Sequence, residues 1–284
     1  MGDNSKIQWT DHTFNPWIGC TKIDVLCQNC YAEKFANRYG HAKWGEFGER
    51  KKTSDANWKK PYQWNRKAQK EGVRYRVFCA SLSDVFDDHE SIKQEWRHEL
   101  FKIIKETPNL DWLLLTKRPE NYKRYLPLDW EMTGYPNVWL GVSVGDIKGS
   151  VQRLDILVNT PATVRFISAE PLVERFPIPE NGISWIICGG ESGTLSKIRQ
   201  LDLYDVKGLI DFSKKNGIKF FFKQLGSILS KKYNLQDGHG GTFDQYPSGV
   251  LDWLKIREIP DSHPSFITIP EPEDIEPENL KLDI

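Results

Sequence analysis

Residues 112–119 read Trp-Leu-Leu-Leu-Thr-Lys-Arg-Pro, an unbroken apolar run of strand length that stops on a cluster of polar groups. A strand with one face in water alternates apolar and polar side chains. An unbroken run is what a strand covered on both faces shows, and such strands belong to parallel sheets. The same design recurs at Val77–Ser81 (VFCAS), Val138–Ser143 (VWLGVS), Val164–Ser168 (VRFIS), Trp185–Cys188 (WIIC) and Lys219–Lys223 (KFFFK). Helical patterns lie between them. Ile92, Trp96, Leu100, Ile103 and Ile104 share one face of Ile92–Lys105, and Leu203–Lys215 runs into the helix stop Asn216-Gly217. A short strand at Ile7–Trp9 would come first, giving six or seven strands. Strands alternating with helices imply βαβ units with right-handed crossovers. The expected fold class is therefore α/β: a parallel β/α barrel-like domain, a partial TIM barrel, over residues 1–259. An open doubly wound sheet is the other closure these elements allow.

Composition narrows the function classes. The formal net charge is +0, so no global field argues for nucleic acid or a membrane surface. No run of about 18 apolar residues exists, which excludes a membrane span. The first residues, MGDNSKIQWTD, lack the basic-then-apolar layout of a signal peptide, so a cytoplasmic protein is expected. In that compartment the five cysteines are thiols rather than a disulfide framework, and a close group of them points to metal or catalysis. Two regions break the strand–helix rhythm. Residues 38–76 form a long basic and aromatic insert of weak periodicity, and residues 260–284 form an acidic, Pro-rich tail (IPEPEDIEPENLKLDI at its end).

The loop after the first strand, FNPWIGCTKIDVLCQNCYAEKFANRYG, holds Cys20, Cys27 and Cys30 as C-x6-C-x2-C, with a helix starting near Tyr31. The C-x2-C half lets two thiolates reach one metal centre, and Cys20 closes on it. Three cysteines leave one coordination position open, as in a catalytic metal site or a [4Fe–4S] cluster with three thiolate ligands. Two blander readings stand beside it: unliganded thiols, and a structural zinc completed by His12 or His41. Cys79 and Cys188 sit inside apolar runs and read as small core residues.

Ligands of parallel β/α folds gather at the carboxyl ends of the strands. The strand ends here supply Ser81, Ser83 and Asp84; Thr116, Lys117 and Arg118; Ser143 and Asp146; Ser168 and Glu170; and Gly189, Gly190, Glu191 and Ser192. The cysteine loop would share their face. Taken singly, each Ser, Asp or Glu is equally well read as a helix cap. Lys117-Arg118 reads either as a solvated basic pair or as a phosphate clamp.

The stretch FNPWIGCTKIDVLCQNCYAE resembles the signature of a phage- and prophage-associated family of uncharacterised function marked by three cysteines, itself similar to radical S-adenosylmethionine (radical SAM) enzymes. SLSDVF at Ser81–Phe86, LLLTKRP at Leu113–Pro119, GVSVGD at Gly141–Asp146, ISAEPL at Ile167–Leu172, CGGESG at Cys188–Gly193 and FFFKQLG at Phe220–Gly226 look like its later blocks. The resemblance covers residues from about 5 to 250, and the order of the blocks is more specific than any one of them. It implies a [4Fe–4S] cluster on Cys20, Cys27 and Cys30 whose open iron binds S-adenosylmethionine. Reductive cleavage would then give a 5′-deoxyadenosyl radical that abstracts hydrogen from a substrate. It further implies cofactor contacts from Ser81, Asp84, Ser143, Asp146, Gly189, Gly190 and Glu191, catalytic candidates in Lys117, Arg118 and Glu170, and a reductant such as flavodoxin or ferredoxin. Two departures stand out. Radical SAM enzymes mostly space their cysteines C-x3-C-x2-C, and their Gly-Gly-Glu motif usually follows the second strand, whereas here it follows the sixth.

In the insert 38–76, Lys and Arg recur beside Trp44, Trp58, Tyr62, Trp64 and Tyr75, a mix suited to DNA or RNA presented as single strands or flipped-out bases. The plainer reading is a surface whose tryptophans anchor it to the barrel. Two functions remain in view: a radical SAM-type iron–sulfur enzyme acting on nucleic acid or a nucleotide, in modification or repair, and a zinc-stabilised nucleic-acid-binding protein without catalysis. No P-loop, no G-x-S-x-G elbow and no H-E-x-x-H helix is expected here to support a hydrolase or transferase.

Overall fold

The computed structural model describes residues 5–40, 42–130 and 134–262. Strand β1 (His12–Thr13) leads to β2 (Trp17–Ile18), the cysteine loop and helix α1 (Tyr31–Tyr39). Strand β3 (Lys51–Lys52) pairs antiparallel with β2, and α2 (Asp55–Trp58) and α3 (Lys60–Glu71) bring the chain to β4 (Tyr75–Cys79). There follow α4 (Gln94–Glu106), β5 (Leu110–Thr116), α5 (Tyr122–Tyr125), β6 (Val138–Val144), α6 (Ile147–Val158), β7 (Val164–Ala169), β8 (Trp185–Gly189), α7 (Leu203–Lys215), β9 (Lys219–Gln224) and α8 (Ser227–Lys232).

Seven strands form one parallel sheet in the order β1-β4-β5-β6-β7-β8-β9. A doubly wound sheet reverses its strand order part-way. This sheet never does, so the open doubly wound alternative is set aside. Winding in one direction with right-handed crossovers puts every crossover helix on the same face, and the other face curls in on itself. Side-chain alternation, period two, records the curl. Val77, Leu114, Leu140, Val142, Ile167, Ile186 and Phe222 point outward into a core shared with the helices. Phe78, Leu113, Trp139, Phe166, Trp185, Ile187 and Phe221, of the opposite parity, meet in a second core inside the curl.

Trp185 is the hub of that inner core. Its ring lies 6.2 Å from Trp9, 5.9 Å from Trp139, 5.8 Å from Phe166 and 6.2 Å from Phe221. A contact between Trp9, ahead of β1, and β8, five strands over, requires a strongly curved sheet. The gap between the edges β1 and β9 is bridged rather than paired. Residues 256–258 run back along β9 (Phe222 N–H to Ile256 O, 2.8 Å; Glu258 N–H to Phe220 O, 2.9 Å), and Arg257 Nη2 donates to Gln8 Oε1 at 2.9 Å. The architecture is an α/β half-barrel with flanking helices.

Six of the expected strands lie where the apolar runs placed them. The first does not: Ile7 and Trp9 are outside any strand and plug the inner core, and the strand is His12–Thr13. The stretch 38–76 is also more regular than its pattern announced. It contains α3, with Pro61 tolerated in the first turn and a left-handed Gly72 (φ 65°) at the end. Trp58 and Trp64 are buried, so their faces are occupied by the core rather than offered to bases. Apart from Pro260, Asp261 and Ser262, the expected acidic tail lies outside the described residues. Among the described residues no helix is long and apolar enough to cross a membrane.

Candidate functional site

The carboxyl ends of parallel strands share one mouth. Extending the alternation two residues beyond the interior positions Leu115, Gly141, Phe166 and Phe221 brings Lys117, Ser143, Ser168 and Lys223 into it. All four line a cavity of about 600 Å3 together with Cys20, Cys27, Cys30, Ser81, Asp84, Arg118, Glu170, Gly190 and Glu191. Trp9, Phe78 and Leu115, which cap the inner core, add apolar lining. A cavity of this size with an apolar base and a few convergent polar groups is the usual form of a small-molecule site.

The cysteine loop is pinned into this mouth by three arginines paired with carboxylates, the Arg118 pairs buried and those of Arg153 and Arg199 partly so. Arg118, at the end of β5, reaches Asp84 Oδ2 at 3.2 Å and Asp87 Oδ1 at 3.7 Å, donates to Thr21 O at 2.8 Å and meets Cys20 Sγ at 3.5 Å. Arg153, on α6, binds Asp24, Lys117 O at 2.9 Å and Ser143 O at 3.1 Å. Asp24 in turn accepts from the N–H groups of Leu26 (2.9 Å) and Cys27 (3.2 Å), starting the turn that carries Cys27. Glu191, after β8, accepts from Arg199 Nη2 at 2.7 Å and Asn29 Nδ2 at 3.2 Å, and Arg199 also donates to Val25 O at 2.9 Å. Burial alone pushes the Glu191 carboxyl up, but the hydrogen bonds from Arg199 and Asn29 outweigh it and hold the group below the usual range. Asp24 shows the same balance, burial being overcome chiefly by Arg153.

The thiols respond to the same surroundings. Burial pushes Cys20 up to about 12, against the pull of the Arg118 guanidinium, and burial likewise raises Cys27. Both are protonated when unliganded, and a metal would replace the proton. Cys30 occupies the N-cap position of α1 without a capping bond from its side chain, which leaves its sulfur at the positive end of the helix. Three thiols on one loop, one beside a guanidinium and one at a helix N-terminus, suit anionic sulfur ligands. Among the described residues, no three His, Cys, Asp or Glu side chains are arranged to hold a single metal ion. His12 stacks on Trp64 at 4.3 Å, in the layer between the sheet and α3, and His41 lies outside the described residues.

The remaining sequence candidates divide. Glu170 forms an ion pair with Lys223 (2.8 Å) and accepts from Ser168 Oγ at 3.3 Å, within the cavity wall. Asp84 accepts from Thr116 Oγ1 (2.7 Å) and the Lys117 N–H (3.1 Å), which fixes the end of β5. Gly190 is packed against β9: a Cβ there would stand 2.1 Å from Leu225 O. Gly189 backs onto Glu170, whose Oε1 would lie 3.1 Å from an added Cβ. Asp146 does not line the cavity; it caps α6 through the Gly149 N–H at 3.3 Å. Gly141–Gly145 spells Gly-x-Ser-x-Gly, the letters of a hydrolase nucleophile elbow, but Ser143 lies inside β6 rather than on a strand-to-helix turn. Lys223, Asn29, Arg153 and Arg199 escaped the sequence reading. Extending the parity of Phe221 would have found Lys223; the others act across 129 to 174 residues of chain, and no local pattern marks them. Cys79 and Cys188 are fully buried in the outer core.

A family model described as "Protein of unknown function (DUF5131)" matches residues 4–247. The chain belongs to that family. No curated protein matches this member of it. Among solved structures it is similar to a double mutant of spore photoproduct lyase with AdoMet and a dinucleoside spore photoproduct bound, with a TM-score of 0.42 and 11% identity. That alignment covers 80% of this chain and 59% of the lyase.

Proposed function

We propose that Cys20, Cys27 and Cys30 hold a [4Fe–4S] cluster in the barrel mouth, and that S-adenosylmethionine binds beside it. The observation that carries the reading is that all three thiols of one loop open into one cavity at the carboxyl ends of the parallel strands. Three thiolates would leave one iron for an external ligand. The bound cluster would supply the electron for reductive cleavage of S-adenosylmethionine and so for hydrogen abstraction, with a flavodoxin- or ferredoxin-type protein as donor.

The chain's own groups have distinct parts in this reading. Arg118 donates towards Cys20 sulfur and favours its thiolate. The Asp24–Arg153 and Glu191–Arg199 pairs hold the loop against the ends of β5, β6 and β8. Glu170 and Lys223, opposite charges 2.8 Å apart, suit the zwitterionic methionine end of the cofactor: a carboxylate for its amino group, an ammonium for its carboxylate. Trp9, Phe78 and Leu115 offer an apolar surface to its adenine. The test is anaerobic reconstitution followed by incubation with S-adenosylmethionine and dithionite. Release of 5′-deoxyadenosine and methionine, abolished in Cys27→Ala, is expected. Protein that retains iron and sulfide but neither binds nor cleaves S-adenosylmethionine would overturn the cofactor assignment.

A further inference from the structure

Helix α1 carries a row of aromatic side chains that the barrel cores do not enclose. Tyr31, Phe35 and Tyr39 recur every fourth residue and are 58%, 41% and 58% exposed. On the opposite side Ala32 and Ala36 pack against Ile18, Leu82, Trp44 and Cys30, so the aromatic row faces outward by the helix's own geometry. The Phe35 and Tyr39 rings lie 4.7 Å apart, and Tyr31 stands at the cavity wall, its hydroxyl donating to Ser81 O at 2.7 Å. The row therefore starts at the mouth and leads away from it. Exposed Lys34 and Arg38 alternate with the rings and make no ion pair among the described residues, while the one acidic residue of the helix, Glu33, is taken by Lys22 at 2.6 Å. Lys34 extends towards the lip of the loop after β8, its Nζ 3.3 Å from where a Cβ on Gly193 would stand. Within the cavity Lys117 likewise makes no ion pair among the described residues.

We infer that this face of α1 is a platform for single-stranded nucleic acid, with bases stacked on Tyr31, Phe35 and Tyr39 and phosphates held by Lys34 and Arg38, guiding a nucleotide into the mouth. Aromatic faces one helical turn apart and flanked by unopposed cations are the arrangement that binds single strands with little regard to sequence. A second copy of the chain would fit poorly. Nine residues of helix offer a face about 13 Å long and about 10 Å wide, on the order of 130 Å2, far short of the roughly 800 Å2 per partner that a stable dimer buries, and the cations would repel their own images. The inference names a substrate class for the site proposed above and rests on that reading for its chemistry, although the binding itself needs no cluster.

The test is fluorescence anisotropy of a labelled single-stranded DNA or RNA oligonucleotide, with both cluster-loaded and iron-free protein. The wild type should bind, more weakly as salt rises. Phe35→Ala/Tyr39→Ala should lose tenfold or more in affinity, since each stacked base depends on its ring. Lys34→Gln/Arg38→Gln should flatten the salt slope by about 1.4, the value for two phosphate contacts on a single strand. All four side chains are exposed, so the variants should fold, and circular dichroism is the check. No binding at low salt, or wild-type affinity in the aromatic variant, would overturn the inference, as would light scattering that reveals a dimer dissolved by Phe35→Ala/Tyr39→Ala. Protein that binds the oligonucleotide yet never takes up iron would sink the cluster reading and leave this one standing.

Discussion

Gly141→Ala adds one carbon inside the curl of the sheet. Gly141 is the register partner of Phe166 on β7, and a Cβ at Gly141 would stand 2.3 Å from Phe166 Cζ and 2.5 Å from each Cε. Ordinary contact begins about an ångström further out. The ring has no free direction, being fully buried with its centroid 5.8 Å from Trp185. Overpacking of this kind costs about 1–3 kcal/mol. A 2.3 Å approach lies at the severe end of that range, about 2–3 kcal/mol; replacing glycine in a strand returns about 0.5–1 kcal/mol through the unfolded chain, which leaves a net loss of about 1–2.5 kcal/mol. Urea unfolding followed by tryptophan fluorescence measures it. Phe166→Leu in the same chain supplies the control. The double variant should be more stable than the sum of the two singles implies, by about 1 kcal/mol, because the smaller side chain admits the new methyl group. A Gly141→Ala protein as stable as wild type, or additive behaviour in the double variant, would refute the packing of the inner core described above.

Two further predictions concern the loop anchors. Arg118→Gln leaves buried Asp84 without a cation, whereas Asp87 keeps Arg50 at 2.8 Å, so the expected loss lies near the low end of the range for a broken buried pair, about 3 kcal/mol; a loss under about 1 kcal/mol in urea unfolding would contradict it. Glu191 is depressed in the folded state, so its contribution is complete above the unfolded value of about 4.3 and disappears as pH falls through the lower folded value. Hydrogen exchange at the Arg199 amide, which donates to Glu191 Oε2 at 2.8 Å, should therefore quicken below about pH 4, and in Glu191→Gln it should be fast already at neutral pH with no acid step; wild-type protection in that variant would rule the anchor out.

How far the sequence reveals the molecule follows from which forces leave a local trace. The six long strands are legible because burial on both faces requires continuous hydrophobes, and α7 because its amphipathic pattern ends at a glycine. Ile7–Trp9 misleads, since Ile-Gln-Trp, two apolar side chains flanking a polar one, reads the same whether its ends plug a barrel or belong to a strand. Trp58 and Trp64 mislead for a related reason: beside lysines they suggest base stacking, and only the packing of Phe14 and His12 on them shows their faces engaged. The mouth is half legible. Parity along a strand carries Lys117, Ser143, Ser168 and Glu170 inward, and Arg118 stands out at a strand end, but nothing local marks Arg153 and Arg199, which reach the cysteine loop only once the fold brings them across the chain.

Iron and acid-labile sulfide analysis of anaerobically reconstituted protein, with an absorption spectrum, beside the Cys20→Ala/Cys27→Ala/Cys30→Ala variant, tests the central claim most directly. The account predicts about four irons and four sulfides per chain, as a [4Fe–4S] cluster requires, all lost in the variant. One zinc without sulfide, or iron that survives loss of the three cysteines, would contradict it.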